Sequence, residues 1–160
     1  MNNVFLLTGG NIGDRIQNLK KAKKTIEQKV GQIVSASKIY ETEAWGKTNQ
    51  PSFFNQVLQV QCLHNAPAIL NLILAIELSM GRERLVKYGP RLIDIDILFY
   101  NNEVVDTPEL TVPHPQIQNR RFVLTPLTEL AANYLHPVLH KTIAELLNEC
   151  EDPLMVKALS

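Results

Sequence analysis

Isoleucines at positions 93, 95 and 97 alternate with aspartates at 94 and 96. Successive side chains of a strand point to opposite faces, so an extended segment gives one apolar face and one face with two neighbouring carboxylates. Ile93 to Tyr100 is therefore a strand, closed by the turn pair Asn101-Asn102. Two carboxylates side by side repel one another, and a cation between them removes the cost. Mg²⁺ suits that place because it takes hard oxygen ligands and leaves positions open for phosphate oxygens. Two ions sharing the pair would form a two-metal clamp.

The other periodicities assemble around this strand. Val4 to Thr8 is a short apolar run ending at Gly9-Gly10-Asn11, a buried strand and then a sharp turn. Asp14 caps the next segment, where Ile16, Leu19, Ala22, Ile26 and Val30 recur at helical spacing until Gly31. Lys20, Lys21 and Lys24 lie on its other faces and read as a solvated surface. Ile33 to Tyr40 and Phe53 to Cys62 are rich in β-branched and aromatic residues and read as strands. The connection between them, Glu41 to Ser52, is longer than a usual hairpin loop, and such loops often carry function.

Pro67 suits the first turn of a second helix, with Ile69, Leu70, Ile73, Leu74 and Ile76 as its apolar positions and Gly81 as its end. Gly81 to Arg91 is a polar, basic loop. Beyond the aspartate strand, Val104-Val105 begins a short returning strand, and Thr111 to Pro115 is held extended by its prolines. Phe122 to Ala132 and Thr142 to Glu149 read as helices. The order strand, helix, strand, strand, helix, strand predicts an α+β fold, a ferredoxin-like βαββαβ sandwich with C-terminal additions, and residues 1–160 read as a single domain. That order serves many functions and decides none of the chemistry.

Charge narrows the chemistry. Lys+Arg and Asp+Glu number 16 each, so no global field draws the chain to nucleic acid or to a membrane. No apolar run approaches the roughly 20 residues that span a bilayer. Cys62 and Cys150 have no paired-ligand spacing and read as reduced thiols, which with the lack of a signal peptide predicts a cytoplasmic protein. Any anion site must therefore be local. Arg82, Arg84, Lys87 and Arg91 precede the aspartate pair, and His114, Arg120 and Arg121 follow it. A bare Asp-x-Asp is more often a solvated pair at a strand edge, but arginines on both sides reverse that reading. Arginine meets phosphate oxygens through two parallel hydrogen bonds, and carboxylates for Mg²⁺ plus arginines for phosphate are the parts of phosphoryl transfer. No Gly-x-x-x-x-Gly-Lys-Ser/Thr loop is present, so side chains and metal must hold the phosphates.

Phe53 and Asn55 stand two apart on a strand and share a face, with Trp45 in the long loop and Phe122 after the arginines. A flat heterocycle can stack on the rings while Asn55 offers a donor and an acceptor; taken alone, such a cluster is more often core. His136 and His140 have i, i+4 spacing, but Pro137 intervenes and no third ligand is near, so they read as a surface helix start rather than a zinc site.

From the Gly9-Gly10-Asn11-Ile12-Gly13-Asp14 turn to about Leu130, the sequence closely resembles the 6-hydroxymethyl-7,8-dihydropterin pyrophosphokinases of folate biosynthesis. The segment Lys87 to Leu98 carries the most specific match, with Leu110 to Pro115 and Asn119 to Leu124 behind it. Leu74, Leu85, Tyr88 and Pro115 depart from the best-known bacterial pattern. The resemblance implies transfer of the β,γ-diphosphate of ATP to the pterin alcohol with release of AMP, by a protein that is usually monomeric. It implies two Mg²⁺ ions on Asp94 and Asp96, and catalytic roles for these residues with Arg82 and Arg91. Arg82, Arg84, Arg91, His114 and Arg120 would meet ATP phosphates, and Ile97, Leu110 and Thr111 its base and ribose. Phe53 and Phe122 would sandwich the pterin, Asn55 would bond its edge, and Thr42, Glu43 and Trp45 would add contacts, largely through backbone. Two other readings remain: a ferredoxin-like module that senses a nucleotide without consuming it, and an RNA-binding domain, which would need exposed sheet aromatics and a basic surface.

Overall fold

A single six-stranded sheet organises the chain, in a computed structural model that describes residues 1–43, 49–81 and 92–159. The elements in chain order are β1 (Asn2–Gly10), α1 (Arg15–Lys29), β2 (Gln32–Ala36), β3 (Tyr40–Thr42), β4 (Phe53–Cys62), α2 (Ala66–Ser79), β5 (Asp94–Tyr100), β6 (Val105–Asp106), β7 (Thr111–Val112), α3 (Arg121–Ala131), α4 (Ile143–Glu149) and β8 (Val156–Ala158). The sheet runs β5-β1-β4-β3-β8, with β2 also on β4, and every pairing in it is antiparallel. With β2 and β3 counted as one interrupted strand, this is the ferredoxin-like order with β8 added at one edge.

Local chemistry sets the boundaries of the helices. The Asp14 carboxylate accepts the Gln17 N–H at 3.1 Å and so caps α1. The Asn65 side chain does the same for α2 with the Ala68 N–H at 2.9 Å, and Pro67 lies in its first turn. Gly81 takes the left-handed conformation, φ 85°, just after α2. Thr142 and Glu145 form a reciprocal capping box at α4.

The sheet is buried on both faces. Leu6, Leu58 and Ile97 pack against Leu19 and Ile26 of α1 and Ile69 and Ile73 of α2. On the opposite face Phe5, Val57 and Phe99 meet Leu124 and Leu127 of α3 and Ile143 of α4. The C-terminal additions are thus a third layer. Each such fully buried side chain stabilises by about 1.5–3 kcal/mol relative to exposure. The tail after α4 is tied back: Arg121 N–H donates to the Asp152 carboxylate at 3.0 Å, and β8 pairs with β3.

Two local expectations are corrected. The strand expected over Ile33 to Tyr40 is broken into β2 and β3, because the Ser37 hydroxyl accepts the Val57 N–H at 3.0 Å and Gln56 Nε2 donates to the Ser37 carbonyl at 2.8 Å. The pairing with β4 slips on either side of that break. The helix expected over Phe122 to Ala132 is present as α3, with Pro126 inside it. His136 does not start a surface helix. It is buried, its Nδ1 accepts the N–H groups of Val138 and Leu139 at 3.1 and 3.0 Å, and the next helix begins only after Thr142.

Gly31 joins α1 to the sheet at van der Waals limit. A Cβ there would lie 2.3 Å from the Gln61 carbonyl oxygen and 2.6 Å from Cys62 Cβ. Gly31→Ala is expected to lower stability by about 1–3 kcal/mol, read as a lower urea midpoint with an unchanged slope. An unchanged midpoint would mean that β4 yields without cost.

Candidate active site

Strand β1 places the chemistry. Gly9 is the register partner of Asn55 on β4 and, on its other side, of Asp94 on β5. Two residues back, Leu7 pairs with Val57 and Asp96. Leu7 and Val57 belong to the core on the α3 side, so Asp96 beside them faces α3, and by the two-residue period so do Asp94, Gly9, Asn55 and Phe53. Ile93, Ile95 and Ile97 belong to the opposite core, as the alternating sequence requires. The alternation ends at a bulge: Phe5 pairs with Phe99 but Leu6 with Ile97, so Leu98 and Phe99 both turn toward α3.

Gly9 keeps this row open. A Cβ on it would fall 2.1 Å from Asn55 Oδ1, so the Asn55 amide occupies the space that a side chain at position 9 would fill. With neighbouring strands about 4.8 Å apart, Asn55 and Asp94 flank a gap about 10 Å wide between backbones. Asn55 is buried, and among the described residues its amide makes no hydrogen bond within the protein. Its amide atoms are not among the buried unpaired polar atoms of the described residues, so they reach solvent, where a ligand can meet them. Phe53, the next residue on the same face, is half-buried.

The start of α3 lies on the same side of the sheet as this row. Arg120 is its N-cap, and Phe122 in its first turn packs at the edge of the α3-side core. The Arg120 guanidinium carbon lies 5.7 Å from the centre of the Phe122 ring. His114 is near enough to Arg120 and Asp94 to feel both charges. Its Nδ1 accepts the Gln116 N–H at 3.1 Å, which leaves the proton on Nε2. Burial first, and then the Arg120 charge, lower its pKa from 6.5 to about 4, against a smaller upward pull from Asp94. At neutral pH His114 is a neutral N–H donor.

Along the open edge of β5 lies a cleft of about 200 Å³, lined by Ile97, Leu110 and Thr111, with Leu70 of α2, Asp96 and His114. Sequence-predicted residues thus fall into two groups that meet at the aspartates: Ile97, Leu110, Thr111 and His114 at the cleft, and Phe53, Asn55, Arg120 and Phe122 on the α3 side. Thr42 is register partner to Phe53, but its hydroxyl donates to the Met155 carbonyl at 2.8 Å, so only its backbone remains to meet a substrate. Glu43 is exposed at the end of β3. Trp45, Arg82, Arg84 and Arg91 lie outside the described residues, as do Leu85, Lys87 and Tyr88.

Among the described residues no three His, Cys, Asp or Glu side chains are grouped to cage a metal ion. The pair Asp94 and Asp96 alone offers hard carboxylate oxygens, which is the donor set of a Mg²⁺ that draws its remaining ligands from water and substrate phosphates. The residues present fit such an ion. The histidine pair 136 and 140 does not, because His136 Nδ1 is committed to backbone N–H groups.

Sequence reasoning missed the supports beneath this site. Buried Asn11 donates from Nδ2 to the Pro51 carbonyl and to Gln50 Oε1, both at 3.0 Å, and so holds the return of the long loop into β4. Arg15 donates to the Ser52 carbonyl at 3.0 Å and stacks 3.9 Å over the Phe54 ring, while the Ser52 hydroxyl donates to Glu41 at 2.6 Å. Glu77 of α2 is also buried, and its Oε2 accepts the Ile95 N–H at 2.7 Å. The Gly-Gly-Asn turn was the single sequence signal for any of these.

A carboxylate pair beside a neutral histidine N–H and an arginine has the parts of a phosphotransferase site. The particular kind follows from likeness to known proteins, for residues 5–132 match the family described as 7,8-dihydro-6-hydroxymethylpterin-pyrophosphokinase (HPPK), and the chain belongs to that family. It is 41% identical over 145 residues to the 2-amino-4-hydroxy-6-hydroxymethyldihydropteridine pyrophosphokinase of Aquifex aeolicus, covering 91% of this chain and 90% of that protein. The Bacillus subtilis protein of the same name is 40% identical over 132 residues, with 81% and 79% covered. A crystal structure of a Plasmodium falciparum HPPK-DHPS triple mutant superposes with a TM-score of 0.78 at 20% identity, covering 92% of this chain and 41% of that one, and shares the fold. Among the described residues no helix is long and apolar enough to cross a membrane.

The state of His114 sets a pH dependence for the protein without ligands. The folded chain favours the neutral ring, so between about pH 6.5 and 4 it binds fewer protons than the unfolded chain. The contribution is intact above 6.5 and is lost as the pH falls through that window. Between pH 7 and 5 the wild type should lose about 2 kcal/mol more than His114→Gln, measured by urea unfolding. Parallel losses in the two proteins would show that His114 is protonated freely.

Proposed function

We propose that this chain transfers the β,γ-diphosphate of ATP to the hydroxymethyl oxygen of 6-hydroxymethyl-7,8-dihydropterin, releasing AMP, as a step of tetrahydrofolate biosynthesis. The observation that carries the residue assignment is the row Asn55–Gly9–Asp94, which sets the Asn55 amide beside a carboxylate pair across a glycine floor. HPPK enzymes use ATP and normally need Mg²⁺. In this reading Asp94 and Asp96 hold two Mg²⁺ ions, which when bound supply charge neutralisation on the phosphates and orientation of the reacting oxygens.

The chain's own residues do the rest. Phe53 and Phe122 stack on the two faces of the pterin, and Asn55 reads its edge as donor and acceptor. Thr42, Glu43 and Trp45 add contacts, largely through backbone. Ile97, Leu110 and Thr111 receive the base and ribose in the cleft along β5. The triphosphate then runs from the cleft across Asp96 toward Asn55, which brings the β-phosphorus to the pterin alcohol. His114 donates from Nε2 to a phosphate oxygen and stays neutral while doing so. Arg120 meets the phosphates from the start of α3, and Arg82, Arg84 and Arg91 contact them as well. Arg82 and Arg91 stabilise the transition state.

The hydroxymethyl oxygen attacks the β-phosphorus in line, and the bond from that phosphorus to the oxygen bridging the α-phosphate breaks. AMP leaves with that oxygen, and the proton of the alcohol passes to water. Holding the alcohol and phosphorus at reacting distance supplies much of the acceleration by itself.

Incubated with ATP, Mg²⁺ and the reduced pterin, the protein should release AMP without ADP, and only when the pterin is present. Asp96→Ala should lower kcat by at least about 100-fold while keeping its melting temperature. ADP as the main product would make the chain an ordinary kinase. ATP binding without any turnover would make it a nucleotide sensor. Full activity in Asp96→Ala would remove the aspartate pair from the mechanism.

A further inference from the structure

We propose that Asp152 and Arg121 are positioning residues for the pterin site: together they tie the first turn of α3, which carries Phe122, to the tail that holds β3 beside Phe53, and so set where the two rings stand. The inference rests on the reading of Phe53 and Phe122 given above.

Arg121 lies between two residues of the proposed site, Arg120 and Phe122, and in the sequence it counts with the arginines that follow the aspartate pair. The fold turns it to another use. Its Nη2 donates to the Cys150 carbonyl at 2.8 Å and its Nε to the Asp152 carbonyl at 3.2 Å. Its backbone N–H donates to Asp152 Oδ2 at 3.0 Å, so residue 121 is held through both main chain and side chain. Asp152 is buried, and its other oxygen, Oδ1, accepts the Leu154 N–H at 3.0 Å, which fixes the carboxylate within its own turn.

Helix α3 takes its cap from this tail. Arg120 occupies the N-cap position, where an acceptor side chain usually meets the free N–H groups of the first turn, and a guanidinium only donates. The Asp152 carboxylate supplies the acceptor, and its charge suits the positive end of the helix dipole. Without it the first turn, with Phe122 in it, would fray while Leu124 and Leu127 keep the rest of α3 on the core.

The same tail reaches the other ring. The Met155 carbonyl accepts the Thr42 hydroxyl at 2.8 Å, and Val156 pairs with Thr42, which is in turn the register partner of Phe53 on β4. The Leu159 N–H closes the pairing on the Ile39 carbonyl at 2.9 Å. Residues Cys150 to Leu159 thus run from the flank of Phe122 to the flank of Phe53. None of them lines the cleft along β5 that receives the nucleotide. Loosening the tail therefore weakens pterin binding, which must then re-order the turn, and leaves nucleotide binding alone.

The test titrates the reduced pterin, followed by its fluorescence, into the full chain saturated with Mg²⁺ and a non-hydrolysable ATP analogue. The affinity of the analogue itself is measured by calorimetry without pterin. Asp152→Ala removes the cap, and Asp152→Asn keeps an acceptor for the Arg121 N–H. Pterin affinity should fall by about 10-fold in Asp152→Ala, the factor that a lost cap is worth, and stay within about threefold of wild type in Asp152→Asn. Nucleotide affinity should stay within about twofold in both. Arg121→Gln should weaken the pterin in the same direction. A lower melting temperature in Asp152→Ala with wild-type pterin affinity would overturn the proposal and leave the tail a clamp on the fold. A loss for the nucleotide analogue as large as that for the pterin, in either Asp152→Ala or Arg121→Gln, would overturn it as well. Phe122→Ala is the parallel measurement: wild-type pterin affinity in that variant would instead overturn the pterin-site reading itself. If Asp152→Ala does not fold, Arg121→Gln decides alone.

Discussion

Strand β1 is hydrogen-bonded on both sides, and its two registers are the constraint on which the rest depends. A slip of one residue against β4 would send Asn55 to the α1 and α2 side of the sheet, and the same slip against β5 would bury two aspartates among Ile69, Ile73 and Leu19. The cost of placing carboxylates in an apolar core holds the register where it is. The apolar faces act in the same direction, since Leu6, Leu58 and Ile97 must meet one pair of helices while Leu7 and Val57 meet the other. The site is therefore a consequence of packing that has nothing to do with chemistry. Gly9 is the exception, because its lack of a side chain serves the Asn55 amide rather than the core.

The third layer gives the sheet a second covered face and ends just short of the functional row. Helix α3 begins at Arg121, so the residues that precede and open it, Arg120 and Phe122, stand over the row while Leu124 and Leu127 lie over the core. One element thus covers apolar surface along most of its length and presents a cation and a ring at its start. His114 is held by similar economy: its backbone N–H closes the edge of β5, and its Nδ1 is bonded to its own turn, which leaves one N–H for phosphate. Burial that keeps this ring neutral also prevents it from adding charge beside Asp94 and Arg120 as the pH changes near neutrality.

Much of this was legible in the chain before any coordinates. The isoleucine and aspartate alternation defined the faces of β5, and the helical spacing in α1 and α2 marked Leu19, Ala22, Ile26, Ile69, Ile73 and Ile76 of the first core, whereas Ile16 and Leu74, named on the same spacing, are exposed. What escaped depends on partners far away in sequence. The break at Ser37 is set by the Val57 N–H and the Gln56 amide, and the bulge at Leu98 by the pairing of β1. His136 looked like a surface residue because nothing in its own segment reveals that Val138 and Leu139 fold back onto its ring. Glu77 looked like an ordinary polar residue near the end of a helix, and its bond to the Ile95 N–H depends on a strand far away in sequence. The departures at Leu74 and Pro115 were visible in sequence; Leu74 is exposed on the outer side of α2, and Pro115 lines the cleft along β5.

The central claim is spatial: the pterin lies on the α3 side of the sheet, over Gly9 and against Asn55, with its alcohol facing the β-phosphorus of a nucleotide held along β5. A crystal structure of the protein with the reduced pterin, Mg²⁺ and a non-hydrolysable ATP analogue tests it most directly. The account predicts the ring between Phe53 and Phe122, the Asn55 amide on its edge, and the hydroxymethyl oxygen roughly 3–3.5 Å from the β-phosphorus in line with the bond to be broken. A pterin bound elsewhere, or one whose alcohol points at the γ-phosphorus, would contradict it.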